Sequence, residues 1–352
     1  MIKNKINIYL FLFAFISVIT LYSVRSILPS EYDNIYIKQL IFYFFSFIIF
    51  NKVKSNKFIF NHLFTIYIVL NLILLFLLLF GKPINNAKCW LIIPFIGTIQ
   101  PSEFMKILLV IMSSFILTGN FKYKFFKVFL VFIIPAILTF LEPDTGLVII
   151  YAIGFLTTLF CYQKNSKILI YSIIFIILIC LIILIIYYKN QNLLINIFGS
   201  SIFTKINRII NWKNQDGYQL NNALIAMGST GTNINFNNIN NYFPEAHNDF
   251  IFASIASSFG YFLAVVFLLI ILSFDLFLIK IASFFENKTN KIMITSFTAM
   301  IIYQQIQNIG MNIGIFPITG ITFPFISYGG SSLLSYVLIL TIIKNLKEKG
   351  YN

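Results

Sequence analysis

Ten long stretches of apolar sequence constrain this chain more than any other feature. Crossing about 30 Å of hydrocarbon at about 1.5 Å per residue asks for about 20 residues with few charges. Runs near 7–24, 35–51, 58–80, 102–119, 125–140, 146–162, 167–187, 250–279, 291–314 and 331–344 meet that demand. Composition agrees, because 59% of the residues are hydrophobic and 10% charged, where soluble domains carry about 25% charged residues. The expected fold is an all-α polytopic membrane protein with about ten transmembrane helices. It is read as a single transmembrane domain over residues 1–352, with a large external loop, 188–249, between helices 7 and 8. The Met1–Lys5 start and the apolar run behind it mimic a signal peptide, but Tyr22–Pro29 holds no small-residue cleavage site, so this run is read as the first helix.

A net charge of +14 would suggest nucleic acid in a soluble chain. Here the lysines fall in short breaks between apolar runs, so the basicity concerns membrane topology and no nucleic-acid partner is expected. Positive residues resist translocation. Lys3 and Lys5, then Lys52, Lys54 and Lys57, then Lys122, Lys124 and Lys127, then Lys164 and Lys167, then Lys280, Lys288 and Lys291, then Lys344, Lys347 and Lys349 all share one side if helices alternate. That side is the cytoplasm, both termini included, and the loops around 141–145, 188–249 and 315–330 are external. The 188–249 connection is too long for an idle linker. Within it Ile202, Phe203, Ile206, Ile209 and Ile210 recur at helical spacing, which fits either an amphipathic helix on the membrane surface or a packed loop helix. Cys89, Cys161 and Cys180 show no paired or metal-type spacing, and no disulfide framework is implied.

Acidic residues number only eleven, so their positions inform. Glu103, Glu142, Asp144, Glu245 and Asp249 all fall in external loops or at external helix ends, where ionisable groups are functional candidates. Glu103 and Lys106 sit three apart at the start of the fourth helix and can pair on one face. They are either a structural pair joining helices or part of a polar cavity that meets an anionic substrate. Pro244-Glu245-Ala246-His247-Asn248-Asp249-Phe250 carries one of two histidines. Asp249 could cap the eighth helix, but a partly desolvated carboxylate at the external surface suits a general base towards a substrate hydroxyl, and that reading is preferred. Glu245, His247 and Asp249 could also hold a divalent cation, on a weak ligand signature. The run from Gly314 to Ser332 is dense in turn formers, as in a re-entrant or tightly packed loop. Trp90 is either a membrane-belt aromatic or a stacking surface for a sugar.

Together these segments carry a resemblance. Asn86-Ala87-Lys88-Cys89-Trp90, Gln100-Pro101-Ser102-Glu103, Pro143-Asp144-Thr145-Gly146, Gly217-Tyr218-Gln219, Pro244 to Ala253, and Ser327-Tyr328-Gly329-Gly330-Ser331-Ser332 closely resemble the shape, elongation, division and sporulation family, the RodA and FtsW proteins. The match spans nearly the whole chain, in order. Ala226-Met227-Gly228-Ser229 and Gly310-Met311-Asn312-Ile313-Gly314 look more like the RodA branch.

The resemblance implies a peptidoglycan glycosyltransferase that polymerises lipid II into glycan strands at the outer face of the cytoplasmic (inner) membrane. Its partners would be a class B penicillin-binding protein, which crosslinks the strands, and other elongation or division proteins. Asp249 matches the family's essential aspartate, Glu103 and Lys106 its polar cavity pair, Trp90 its loop tryptophan and Arg208 an arginine of the large external loop. Glu245 and His247 join these as substrate-binding candidates. The resemblance also implies a divalent cation, Mg²⁺ or Mn²⁺, to assist a pyrophosphate leaving group. Rival readings are a lipid II flippase and a non-catalytic scaffold for the penicillin-binding partner. Departures from the family are Cys89 for an arginine, Glu142 for a glutamine, Asn248 for a threonine, and Ser257 and Ser258 where an acidic pair is common.

Overall fold

The computed structural model describes residues 2–84, 87–93, 97–162, 167–211, 217–232, 234 and 242–346. Asn86 of the tryptophan motif and the topology lysines Lys164, Lys347 and Lys349 lie outside them. The helices are α1 (Ile2–Val24), α2 (Ile35–Lys52), α3 (Lys57–Asn61), α4 (Leu63–Phe80), α5 (Pro101–Thr118), α6 (Lys124–Leu141), α7 (Thr145–Tyr162), α8 (Lys167–Lys189), α9 (Gln191–Phe198), α10 (Ser200–Ile210), α11 (Gly217–Thr230), α12 (Ile251–Phe284), α13 (Lys288–Asn312) and α14 (Gly330–Asn345). Each of the ten apolar runs forms a helix. Among the described residues, α1, α2, α4, α5, α6, α7, α8 and α12 are long and apolar enough to cross a membrane by themselves. The other two runs form α13, 25 residues long, and α14, 16 residues long.

Three details depart from the expected spans. The third run breaks at His62 into α3 and α4. Ahead of α5 the chain forms a short antiparallel hairpin, β1 (Leu91–Ile93) with β2 (Gly97–Ile99), pairing Leu91 with Ile99. Strands of three residues are too short for an alternation pattern to register. Helix α12, formed by the eighth apolar run, bends at Gly260, whose φ of +75° is open to glycine at little steric cost. There the Tyr261 amide leaves the helical ladder and donates to the Gly231 carbonyl at 3.0 Å.

The chain forms two compact units. One comprises Met1–Lys57, Asn211–Leu278 and Ile301–Tyr351. In it α2 packs against α1 and α14, and the 313–329 connection dips among the helices. The Tyr43 hydroxyl donates to the Phe325 carbonyl at 2.5 Å and Ser17 Oγ to the Ile326 carbonyl at 2.7 Å. Tyr43 stands eight residues after Ile35, so at helical rise the connection penetrates about 12 Å along α2. It is a re-entrant loop. Its tip is fixed by aromatic packing, with the Phe325 ring stacked on Phe13 at 5.2 Å and edge-on to Phe274 at 5.5 Å.

The other unit comprises Phe58–Ile210, Ile279–Met300 and Asn352. Its centre is α5, most of whose residues are buried, packed by α4, α6 and α7. Leu109, Phe132, Tyr151 and Leu159 belong to the core there. By contrast α8 buries almost none of its span, as a uniformly apolar helix surrounded by lipid would. Ile202 and Ile206 of α10 pack into a cluster with Tyr187, Phe140 and Leu141. This packing is what the packed-loop-helix reading of the segment expects.

Candidate functional site

The first unit carries Asp249 on a non-helical turn, residues 244–250, that leads into α12. Glu245 sits at φ +57° and closes the turn by accepting from the Asn248 and Phe250 amides at 3.0 and 3.1 Å. Backbone outside a helix at this depth must find donors within the protein, and here five consecutive carbonyls do. After Glu245, Ala246 accepts from Ser254 Oγ at 2.6 Å, His247 from the Tyr328 amide at 2.9 Å and Asn248 from Ser327 Oγ at 2.7 Å. The Asp249 carbonyl accepts twice, from Asn308 Nδ2 at 2.9 Å and Asn312 Nδ2 at 2.8 Å. The Ser-Tyr-Gly-Gly motif and α13 thus hold the turn from two sides.

The Asp249 side chain is half-buried. A methyl group on Gly320, at the re-entrant loop's φ of +72°, would lie 3.6 Å from Asp249 Oδ2. Glycine therefore leaves room on that side of the carboxylate. In the first turn of α12 the Ala253 amide donates to Asn312 Oδ1 at 2.8 Å, so α13 caps this helix through that side chain. His247 is buried, its ring 4.5 Å from that of Tyr32. Burial lowers its pKa while Glu245 opposes the shift, so the imidazole is neutral at pH 7. Asn248 Nδ2 lies 3.3 Å from Nε2, whereas Nδ1 is buried without a hydrogen-bond partner. Ser257 and Ser258, where the family often has acids, are buried and engaged. The Ser257 carbonyl accepts from Thr230 Oγ1 at 2.9 Å, and Ser258 Oγ lies 2.6 Å from Ser23 Oγ.

The second unit gathers its polar groups where α5, α6 and α7 meet. Lys106 donates to Glu103 Oε2, and both side chains are almost completely buried. The bonded pair matches the i, i+3 expectation. Gln100 Nε2 donates to Asp144 Oδ2 at 2.5 Å, and the Leu147 amide donates to Asp144 Oδ1 at 3.1 Å, capping α7. Burial raises the Asp144 pKa, while the Leu147 amide, Lys205 and Gln100 oppose it. Glu142 is wholly buried with neither carboxylate oxygen hydrogen-bonded. Burial first, and then Asp144, pushes its pKa up to about 8, so it is mainly protonated at neutral pH. Cys89, standing where the family usually has arginine, supplies no cation to these carboxyls. Burial and the same two acids raise its thiol pKa, so it adds no thiolate either.

Of the residues singled out in the sequence, Glu245, His247 and Asp249 lie in the first unit, and Trp90, Glu103, Lys106 and Arg208 in the second. Trp90 is half-buried immediately before β1, and Arg208 is half-buried in the last turn of α10. Among the described residues, no three His, Cys, Asp or Glu side chains are placed to hold a metal ion. Glu245, His247 and Asp249 therefore do not form the cation site their spacing allowed. Sequence reasoning gave no site role to Asn308, Asn312, Gln100, Lys205 or Gly320. For the two asparagines a signal existed, because amides inside an otherwise apolar run are costly unless they are used.

A multi-span α-helical membrane protein with a re-entrant loop braced against an acidic turn is the class that fold and site define. The model of the FtsW/RodA/SpoVE family, described as "Cell cycle protein", matches residues 3–352, and the chain belongs to that family. It is similar to the "Probable peptidoglycan glycosyltransferase FtsW" of Wigglesworthia glossinidia brevipalpis, 32% identical over 90% of this chain and 84% of the relative. The protein of that name from Bacillus subtilis is 29% identical over 78% and 70%. Among solved structures, Thermus thermophilus RodA superposes with a TM-score of 0.68 at 19% identity, over 98% of this chain and 97% of that one. A chain from "Structural coordination of polymerization and crosslinking by a peptidoglycan synthase complex" reaches 0.75 at 19% identity, over 97% of both. The relatives carry the FtsW name and the superposed structure the RodA name, so the comparisons define the family and not its branch.

Proposed function

We propose that this protein is a peptidoglycan glycosyltransferase that polymerises lipid II, with Asp249 as general base. One observation carries the catalytic assignment: a half-buried carboxylate on a turn whose five carbonyls are all engaged, with a glycine leaving space beside it. Asp249 takes the proton of the acceptor sugar's 4-hydroxyl as that oxygen attacks the anomeric carbon of the lipid-linked donor. The bond between that carbon and the pyrophosphate oxygen breaks, and undecaprenyl pyrophosphate leaves. General bases contribute about 10²–10⁴-fold to such steps. Lys106 and Arg208 are the cations assigned to the phosphates, Trp90 to stacking on sugar, and Glu245 and His247 to shaping the acceptor side. A divalent cation, Mg²⁺ or Mn²⁺, would stabilise the charge of the pyrophosphate leaving group. Among the described residues no three His, Cys, Asp or Glu side chains are placed to hold one, and the step rests on this chain's own residues.

The relatives' printed names support this activity, and the synthase-complex neighbour supports a crosslinking partner, which we assign to the class B penicillin-binding proteins. The alternating lysines support a multi-pass protein of the cytoplasmic membrane with both termini inside and Asp249 facing outward. The test is polymerisation of labelled lipid II by the purified protein with its transpeptidase partner, comparing native and Asp249→Asn forms. Strands from the native form alone are expected. Strands from both would remove Asp249 from the chemistry, and strands from neither would favour the flippase or scaffold readings.

A further inference from the structure

Two asparagines of α13 converge on the residue that carries the base. Asn308 and Asn312 are one helical turn apart, and both are wholly buried. Asn308 Nδ2 donates to the Asp249 carbonyl at 2.9 Å and to the Ile321 carbonyl at 2.8 Å. Asn312 Nδ2 donates to the Asp249 carbonyl at 2.8 Å and to the Asn308 carbonyl at 2.7 Å. Asn312 Oδ1 accepts from the Ala253 amide at 2.8 Å. Two side chains therefore join the acidic turn, the first turn of α12 and the re-entrant loop next to Gly320. Nearby, Gln307 Nε2 donates to the Pro317 carbonyl at 3.0 Å and to Thr319 Oγ1 at 3.2 Å, so α13 registers both ends of the loop segment that faces Asp249.

Such a clamp does more than satisfy carbonyls. One donor would relieve the Asp249 carbonyl, and it receives two, from a helix that also grips Ile321. The carboxylate and the Gly320 wall are thereby fixed to one support. A displacement of about 1 Å in a catalytic group can cost about 10²-fold in rate.

We propose that Asn308 and Asn312 are positioning residues for Asp249, setting its carboxylate against the Gly320 turn through the Asp249 and Ile321 carbonyls. This rests on the general-base reading of Asp249. The experiment measures kcat and KM for labelled lipid II, together with thermal unfolding, in the protein with its transpeptidase partner. The forms compared are native, Asn308→Leu, Asn308→Gln, Asn312→Asp and Asp249→Asn. Asn308→Leu removes the donors at similar volume, and Asn308→Gln restores an amide. Asn312→Asp keeps the acceptor for Ala253 while losing both donors.

The expected result is a kcat at least tenfold lower in Asn308→Leu and Asn312→Asp, with KM within threefold of native. Asn308→Gln should recover most of the loss, with unfolding temperatures close to native. Two results would overturn the clamp while Asp249→Asn stays inactive: native kcat in both donor-deleted forms, or losses that follow unfolding temperature with glutamine no better than leucine. An active Asp249→Asn form would overturn the general-base reading and the clamp with it.

Discussion

The turn that presents Asp249 and the junction of α6 with α7 both bury polar groups, and they treat them differently. At the turn, every carbonyl from Glu245 to Asp249 has a donor, brought from the turn itself, α12, α13 and the re-entrant loop. At the junction, Asp144 is hydrogen-bonded to Gln100 and Leu147 while neither oxygen of the Glu142 carboxyl has a hydrogen-bond partner. A satisfied network fixes geometry, which suits a group that must meet a substrate hydroxyl in one orientation. An unpartnered buried carboxyl escapes the cost of ionisation by holding its proton. The difference assigns precision to the first region and proton retention to the second.

The strongest way to break this comparison is at Asp249. Asp249→Asn is expected to lower lipid II polymerisation by about 10²-fold or more while leaving the unfolding temperature nearly unchanged. Activity near native would erase the distinction between the two regions. The next largest effect is on stability. Lys106→Met removes the cation that pairs with Glu103 in a buried site, and breaking a buried pair costs about 3–5 kcal/mol. The double form Glu103→Leu with Lys106→Met should be markedly more stable than Lys106→Met alone, as read by thermal unfolding in detergent. Equal stability of the two forms would show that the pair carries no mutual dependence.

Gly320→Ala sharpens the comparison at the turn itself. Its φ of +72° disfavours any side chain, at roughly 1 kcal/mol, and the new methyl narrows the approach to Asp249. A severalfold rise in KM for lipid II is expected, and an unchanged KM would show that the acceptor does not pass over Gly320.

The last effect is a pH dependence at Glu142, whose pKa of about 8 lies above its ordinary value of 4.5. Between those values the folded chain binds more protons than the unfolded one, so this group's contribution to stability falls as pH rises through that window. Above about pH 8 it falls no further. Glu142→Gln should therefore gain stability relative to native as pH goes from 5 to 8. A gap that does not change with pH would mean that Glu142 is already ionised in the folded protein.

Much of the architecture was legible because lipid imposes long apolar runs and a charge bias on loops. The runs near 102–119 and 146–162 became α5 and α7 to within a residue at each end. The hairpin Leu91–Ile93 with Gly97–Ile99 was not legible, since three residues carry no period. The break at His62 and the bend at Gly260 depend on packing, which hydropathy does not encode. At the site, Glu103 and Lys106 could be paired from spacing because i and i+3 share a helix face. No spacing rule could bring Asn308 to Asp249, 59 residues earlier in the chain, or Ser327 to Asn248 across 79 residues.

By itself, then, the sequence determined the solvent of this chain, the apolar runs that become its helices and the motif positions on its loops, all of which follow from local hydropathy and short-range pattern. The tertiary structure alone decided which donors complete the Asp249 turn and which carboxyl, Glu142, is left to keep its proton. Hydrogen-bond satisfaction in a buried, low-dielectric site depends on groups far apart in the chain.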